Sequence, residues 1–74
     1  MKQEKLNTII ANNVKNYRKK RNISIEELSY FTDITYSTLE NIENCKESIS
    51  IIMLYKISKV LKISINNFFE ENND

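Results

Sequence analysis

The chain has 74 residues and a formal net charge of +1, which suits one domain near the lower size limit for a stable apolar core. Gly, Pro, Trp and His are absent and Cys45 is the lone cysteine, so Gly-rich phosphate loops, imidazole catalysis, intrachain disulfides and thiolate zinc sites are all disfavoured. The longest apolar run is five residues, Ile51 to Tyr55, so neither a signal peptide nor a membrane span is expected, and the expected location is cytoplasmic. Charge is uneven: residues 1–21 carry seven Lys/Arg against one acid, while residues 66–74 carry three acids and no base.

Leu6, Ile10, Val14 and Tyr17 recur at helical spacing and predict a first helix from about Lys5 to Lys20. Arg18-Lys19-Lys20-Arg21 closes it, where cations either oppose the negative end of the helix dipole or contact phosphate; the two uses are compatible. Asn22 suits a left-handed cap. Ser24-Ile25-Glu26-Glu27 is a capping box that starts a second helix, with Leu28 and Thr32 on one side and the small Ser29 beside them. Asp33, Ile34 and Thr35 interrupt it, and Thr35 caps a third helix with Thr38 in its first turn. Leu39 and Ile42 share one face of that helix, whereas Tyr36, Ser37, Glu40, Asn41 and Asn44 lie largely on the other. After a loop, Ser50 caps a fourth helix with a core stripe of Ile51, Leu54, Ile57, Ser58 and Leu61, leaving Ile52, Met53 and Tyr55 over. Ser64 caps a short fifth helix that holds Phe68 and Phe69, and residues 70–74 read as a frayed tail. The expectation is a single all-α domain over 1–74, with five helices and a core from about 5 to 69.

The run Ser24-Ile25-Glu26-Glu27-Leu28-Ser29, then Asp33-Ile34-Thr35, then Ile42-Glu43-Asn44-Cys45-Lys46 resembles the phage repressor/Cro (XRE-type) helix-turn-helix family, over about Ile10 to Phe69. The resemblance implies a lambda-repressor-like fold and a sequence-specific DNA-binding transcriptional regulator, a repressor acting as a homodimer on an inverted repeat. Three positions depart from the family pattern: Ile25 replaces a Gln used on the DNA backbone, and Asp33 and Cys45 replace turn glycines. By the same resemblance, Tyr36, Ser37 and Asn41 reach base edges, and Arg18 pairs with Glu43 to tie the first helix to the third. Thr35, Thr38, Asn44, Lys46 and Arg21 are the candidate backbone anchors. Glu40 either accepts from a cytosine amino group or is repelled or paired within the chain.

The surplus of Tyr55, Ile65, Phe68 and Phe69 exceeds what so small a core can bury, which points to a dimer interface. The rival reading is a protein-interaction module, such as the antitoxin of a toxin–antitoxin pair with secondary DNA binding. Tyr30 and Phe31 bear on it, since either Phe31 folds under toward Leu28 or both mark a contact surface for a protein partner. Cys45 reads as a loop residue rather than a redox sensor. No cofactor or metal is implied, and no nucleophile, base and orienter come together, so an enzyme is not expected.

Overall fold

The apolar stripes and caps assemble, in the computed structural model of residues 3–71, into four α-helices and one 3-10 element. They are α1 (Gln3–Lys20), α2 (Ile25–Thr32), α3 (Tyr36–Glu43), α4 (Ile51–Leu61) and the 3-10 helix Ile65–Phe69. The expected fifth α-helix is thus a 3-10 turn. Ser64 accepts from the Asn66 amide at its side chain and from the Asn67 amide at its carbonyl, an i→i+3 closure that a segment of five residues can complete. Of the expected tail, residues 72–74 lie outside the described residues.

One apolar cluster joins the elements: Ile10 and Val14 of α1, Leu28 of α2, Ile34 of the connection, Leu39 of α3, Leu54, Ile57 and Leu61 of α4, and Phe68. Phe68 has no exposed surface and meets the Tyr17 ring edge-on at 6.1 Å. Its placement in the dimer surface is therefore corrected, because the 3-10 turn directs Phe68 inward and leaves its neighbour Phe69 outside. Ile65 is half-buried against the same cluster. Ile51 also departs from expectation: it is the first residue of α4, 64% exposed, and the buried stripe begins only at Leu54.

Asn13 falls three residues after Ile10 and four before Tyr17, a polar residue on the buried side of α1. Its amide donates to the carbonyls of Phe68 and Glu70, at 2.7 and 2.8 Å, and so fastens the carboxyl-terminal segment along α1. Lys5 and Glu71 approach to 3.8 Å further along, so residues 70 and 71 are held against the domain. Among the described residues no helix is long and apolar enough to cross a membrane.

Every helix that ends in a turn does so without glycine. Asn22, Asp33, Cys45 and Lys62 all adopt left-handed conformations, with φ of 57, 63, 61 and 59°. Three of these turns close in the Schellman manner: the amides of Ile23, Lys46 and Ile63 donate back to the carbonyls of Arg18, Asn41 and Ser58. Ile23 and Ile63 then pack against the core, which offsets the backbone cost. Lys62 has only its Cβ to strain the turn, and its side chain is exposed. Lys62→Gly should therefore raise stability by about 0.5–1 kcal/mol, the relief of left-handed strain less the entropy of glycine. Urea denaturation reads this as a higher midpoint at unchanged slope, and a lower midpoint would contradict it.

Candidate nucleic-acid interface

The geometry of α2 and α3 begins with the three residues between them, 33–35. Ser24 and Glu27 exchange both bonds of the capping box at the start of α2, at 3.0 and 2.9 Å. At its other end Asp33 turns left-handed and donates its amide to the Ser29 carbonyl. Two hydroxyls then brace the turn. Ser29 donates to the Ile34 carbonyl, while Thr32 donates to Leu28 and accepts from the Ile34 amide. Buried Ile34 pins the connection to the core, and Thr35 caps α3 by accepting from the Thr38 amide. These bonds, rather than loop packing alone, set the angle between the two helices.

Leu39, Ile42 and Glu43 are the buried residues of α3. Arg18 of α1 reaches Glu43 with two parallel bonds, Nε to Oε2 at 2.7 Å and an Nη to Oε1 at 2.9 Å, and gives another N–H to the Ile23 carbonyl at 2.8 Å. Both side chains are largely removed from solvent. The hydrogen bonds that Arg18 donates to the Glu43 carboxylate hold it above its ordinary pKa against the opposing effect of burial, so the guanidinium is charged at every accessible pH.

With that face turned inward, Tyr36, Ser37, Glu40 and Asn44 are exposed and Asn41 is half-buried on the outward side. Tyr36 keeps 46% of its surface in solvent. Asn44, Cys45 and Lys46 are exposed in the turn that follows. Thr35 donates its hydroxyl hydrogen to Thr38, which leaves the Thr38 hydroxyl a hydrogen of its own to give. Arg21 is a correction: its guanidinium donates to the Leu61 carbonyl at 2.8 Å and to Lys62 at 3.4 Å, so it caps the carboxyl end of α4 rather than standing ready for phosphate. The basic tetrad is dispersed in this way, with Arg18 buried on Glu43 and Lys20 above the Tyr17 ring. Ile25 packs partly against the core, which accounts for an apolar residue at that position. Phe31 does not fold under. It is 60% exposed and stacks edge-on with Tyr30, which is 83% exposed, at 5.4 Å.

Two short helices joined by a braced turn, with the second held by its inner face and free on its outer one, define a helix-turn-helix unit. The chain belongs to the helix-turn-helix family, whose model matches residues 14–68. It is 33% identical over 67 residues to the HTH-type transcriptional regulator SinR of Bacillus subtilis (strain 168), an alignment covering 89% of this chain and 60% of that protein. The solved N-terminal DNA binding domain of SinR superposes with a TM-score of 0.82 at 31% identity, covering 90% of this chain and 99% of that one. An HTH_3 family transcriptional regulator from Vibrio cholerae gives a TM-score of 0.86 at 32% identity, over 92% of this chain and 38% of that one. The chain thus spans less than two thirds of the length of SinR and of the Vibrio cholerae regulator.

The buried pair makes a prediction that a surface pair would not. Glu43→Ala leaves a buried guanidinium without its partner and should cost about 3–5 kcal/mol, whereas Arg18→Met with Glu43→Leu should cost markedly less than Glu43→Ala alone. Urea denaturation of the variants decides this, and a single-variant loss below about 1 kcal/mol would return the pair to the class of surface ion pairs.

Proposed function

We propose that this chain is a sequence-specific DNA-binding regulator of transcription, a repressor that binds an inverted repeat as a homodimer, a single domain over residues 1–74 with its core from about 5 to 69. The observation that carries the reading is the outward face of α3, where Tyr36, Ser37 and Asn41 stand together on a helix whose inner face is locked to α1. An Asn side chain can pair bidentately with adenine, a Ser hydroxyl can donate or accept, and a Tyr ring can pack on a thymine methyl. Thr35, Thr38, Asn44 and Lys46 flank these residues as backbone anchors, and Lys46 is exposed. The name of SinR as a transcriptional regulator, and of its amino-terminal domain as DNA-binding, supports the same reading.

One such helix reads too few base pairs to single out a site in a genome, and two set about 34 Å apart by a twofold axis can read a palindrome. The seam suited to this is the outer side of α4 with the 3-10 turn. Ile51, Ile52 and Tyr55 are exposed at positions that share a helical face, and Phe69 is exposed beyond them. Ile65 is half-buried at this seam and contributes its exposed edge. A second reading, a protein-interaction module of the antitoxin kind, is favoured by the stacked and exposed Tyr30 and Phe31.

Base reading and anchoring separate by mutation. Asn41→Ala should weaken the preferred duplex by about 1–3 kcal/mol and relax one base pair of each half-site, while Lys46→Ala should weaken all duplexes alike and lower the salt slope by about 1 per subunit. Equal weakening by both across unrelated duplexes would remove Asn41 from the readers. For assembly, sedimentation at tens of micromolar should show a dimer that Tyr55→Asp or Phe69→Asp converts to a monomer of unchanged helical content. A monomeric unmodified protein would overturn the dimer and favour the protein-partner reading.

A further inference from the structure

Glu40 occupies the middle of the outward face of α3. Tyr36 and Ser37 precede it by one turn, Asn41 adjoins it and Asn44 follows by one turn. The side chain is exposed, and among the described residues neither a hydrogen bond nor an ion pair holds its carboxylate. Nothing in α3 neutralises it, since the helix contains no Lys or Arg and the guanidinium of Arg18 is consumed by Glu43 and the Ile23 carbonyl. If this face enters a groove, the carboxylate enters with it.

An unpaired carboxylate among base edges is selective by charge. In the major groove guanine offers the acceptors O6 and N7 and thymine the acceptor O4, all of which oppose it, whereas the amino group of cytosine is a donor without an adjacent acceptor on the same base edge. Adenine also carries an amino group, but beside the N7 acceptor, which suits an amide better than a carboxylate. The same charge is repelled by phosphate, so duplexes that fail to supply the donor lose affinity. We infer that Glu40 is a specificity-determining residue that selects a cytosine amino group in each half-site, an inference that rests on the DNA-reading function proposed above.

The test is selection from a random duplex library by the full chain, by Glu40→Gln and by Glu40→Ala, followed by affinity measurements on the selected sites. Because the side chain is exposed and unpartnered, all three should fold alike, and circular dichroism checks that they do. The unmodified protein should select a half-site with one position restricted to cytosine. Glu40→Gln should move that position toward adenine, changing the cytosine-to-adenine preference by about 10-fold or more, and Glu40→Ala should level it, with the remaining positions unchanged in both. Identical preferences in all three proteins would overturn the inference while leaving DNA reading intact. So would Glu40→Ala tightening every duplex by one factor, which is the signature of plain repulsion. If the unmodified protein selects no motif, the DNA-reading function fails and this inference fails with it.

Discussion

The Arg18 guanidinium lies between the Glu43 carboxylate and the Ile23 carbonyl, and through these bonds one side chain joins α1, the α1–α2 connection and α3. A helix of eight residues is marginal by itself, so α3 depends on what fixes it from outside. Leu39 and Ile42 supply the apolar part of that attachment and tolerate rotation about the helix axis. The forked ion pair does not, because two parallel bonds from a planar guanidinium have one geometry. The rotation of α3, and hence which side chains point away from the protein, follows from that pair.

The turn before α3 applies a second constraint by different means. Ser29 and Thr32 place their hydroxyls on the backbone around Ile34, and Thr35 then caps the next helix. Asp33, Cys45, Asn22 and Lys62 supply the left-handed residues that glycine often provides, and their Schellman or single amide bonds offset part of the strain. A chain without glycine is stiffer in its unfolded state as well as in these turns, which limits the entropy lost on folding. The result is a rigid platform built on a small core.

Where the chain begins and ends its helices was legible because the caps are local: Ser24, Thr35 and Ser50 each bond an amide three residues on, and Asn22 and Asp33 suit the angles that follow. What depended on tertiary placement was not. The fork between Arg18 and Glu43 spans 25 residues, a separation that spacing does not reveal and family resemblance does. Phe68 and Phe69 are adjacent and alike, and only the 3-10 geometry separates the buried one from the exposed one. Arg21 reads as a phosphate anchor because nothing in the sequence places α4's last carbonyls beside it. Phe31 has no room under α2, where Leu28 and Thr32 already fill the buried side. Asn13 carries a readable signal, an amide on the apolar stripe of α1, whose partners Phe68 and Glu70 lie 55 and 57 residues away.

Glu43, Thr35 and Leu39 look inward or along the backbone, and the residues between them, Tyr36, Ser37, Glu40 and Asn41, are presented outward as a consequence. The claim that this presented face is the functional one can be tested before any regulated site is identified. The measurement is amide and side-chain NMR during titration of the labelled chain with duplexes enriched from a random library. Shifts concentrated on Tyr36, Ser37, Glu40 and Asn41, with smaller ones at Thr35, Thr38 and Lys46, are the expected result. Shifts confined to Tyr30 and Phe31 or to the outer side of α4, with α3 unmoved, would contradict it.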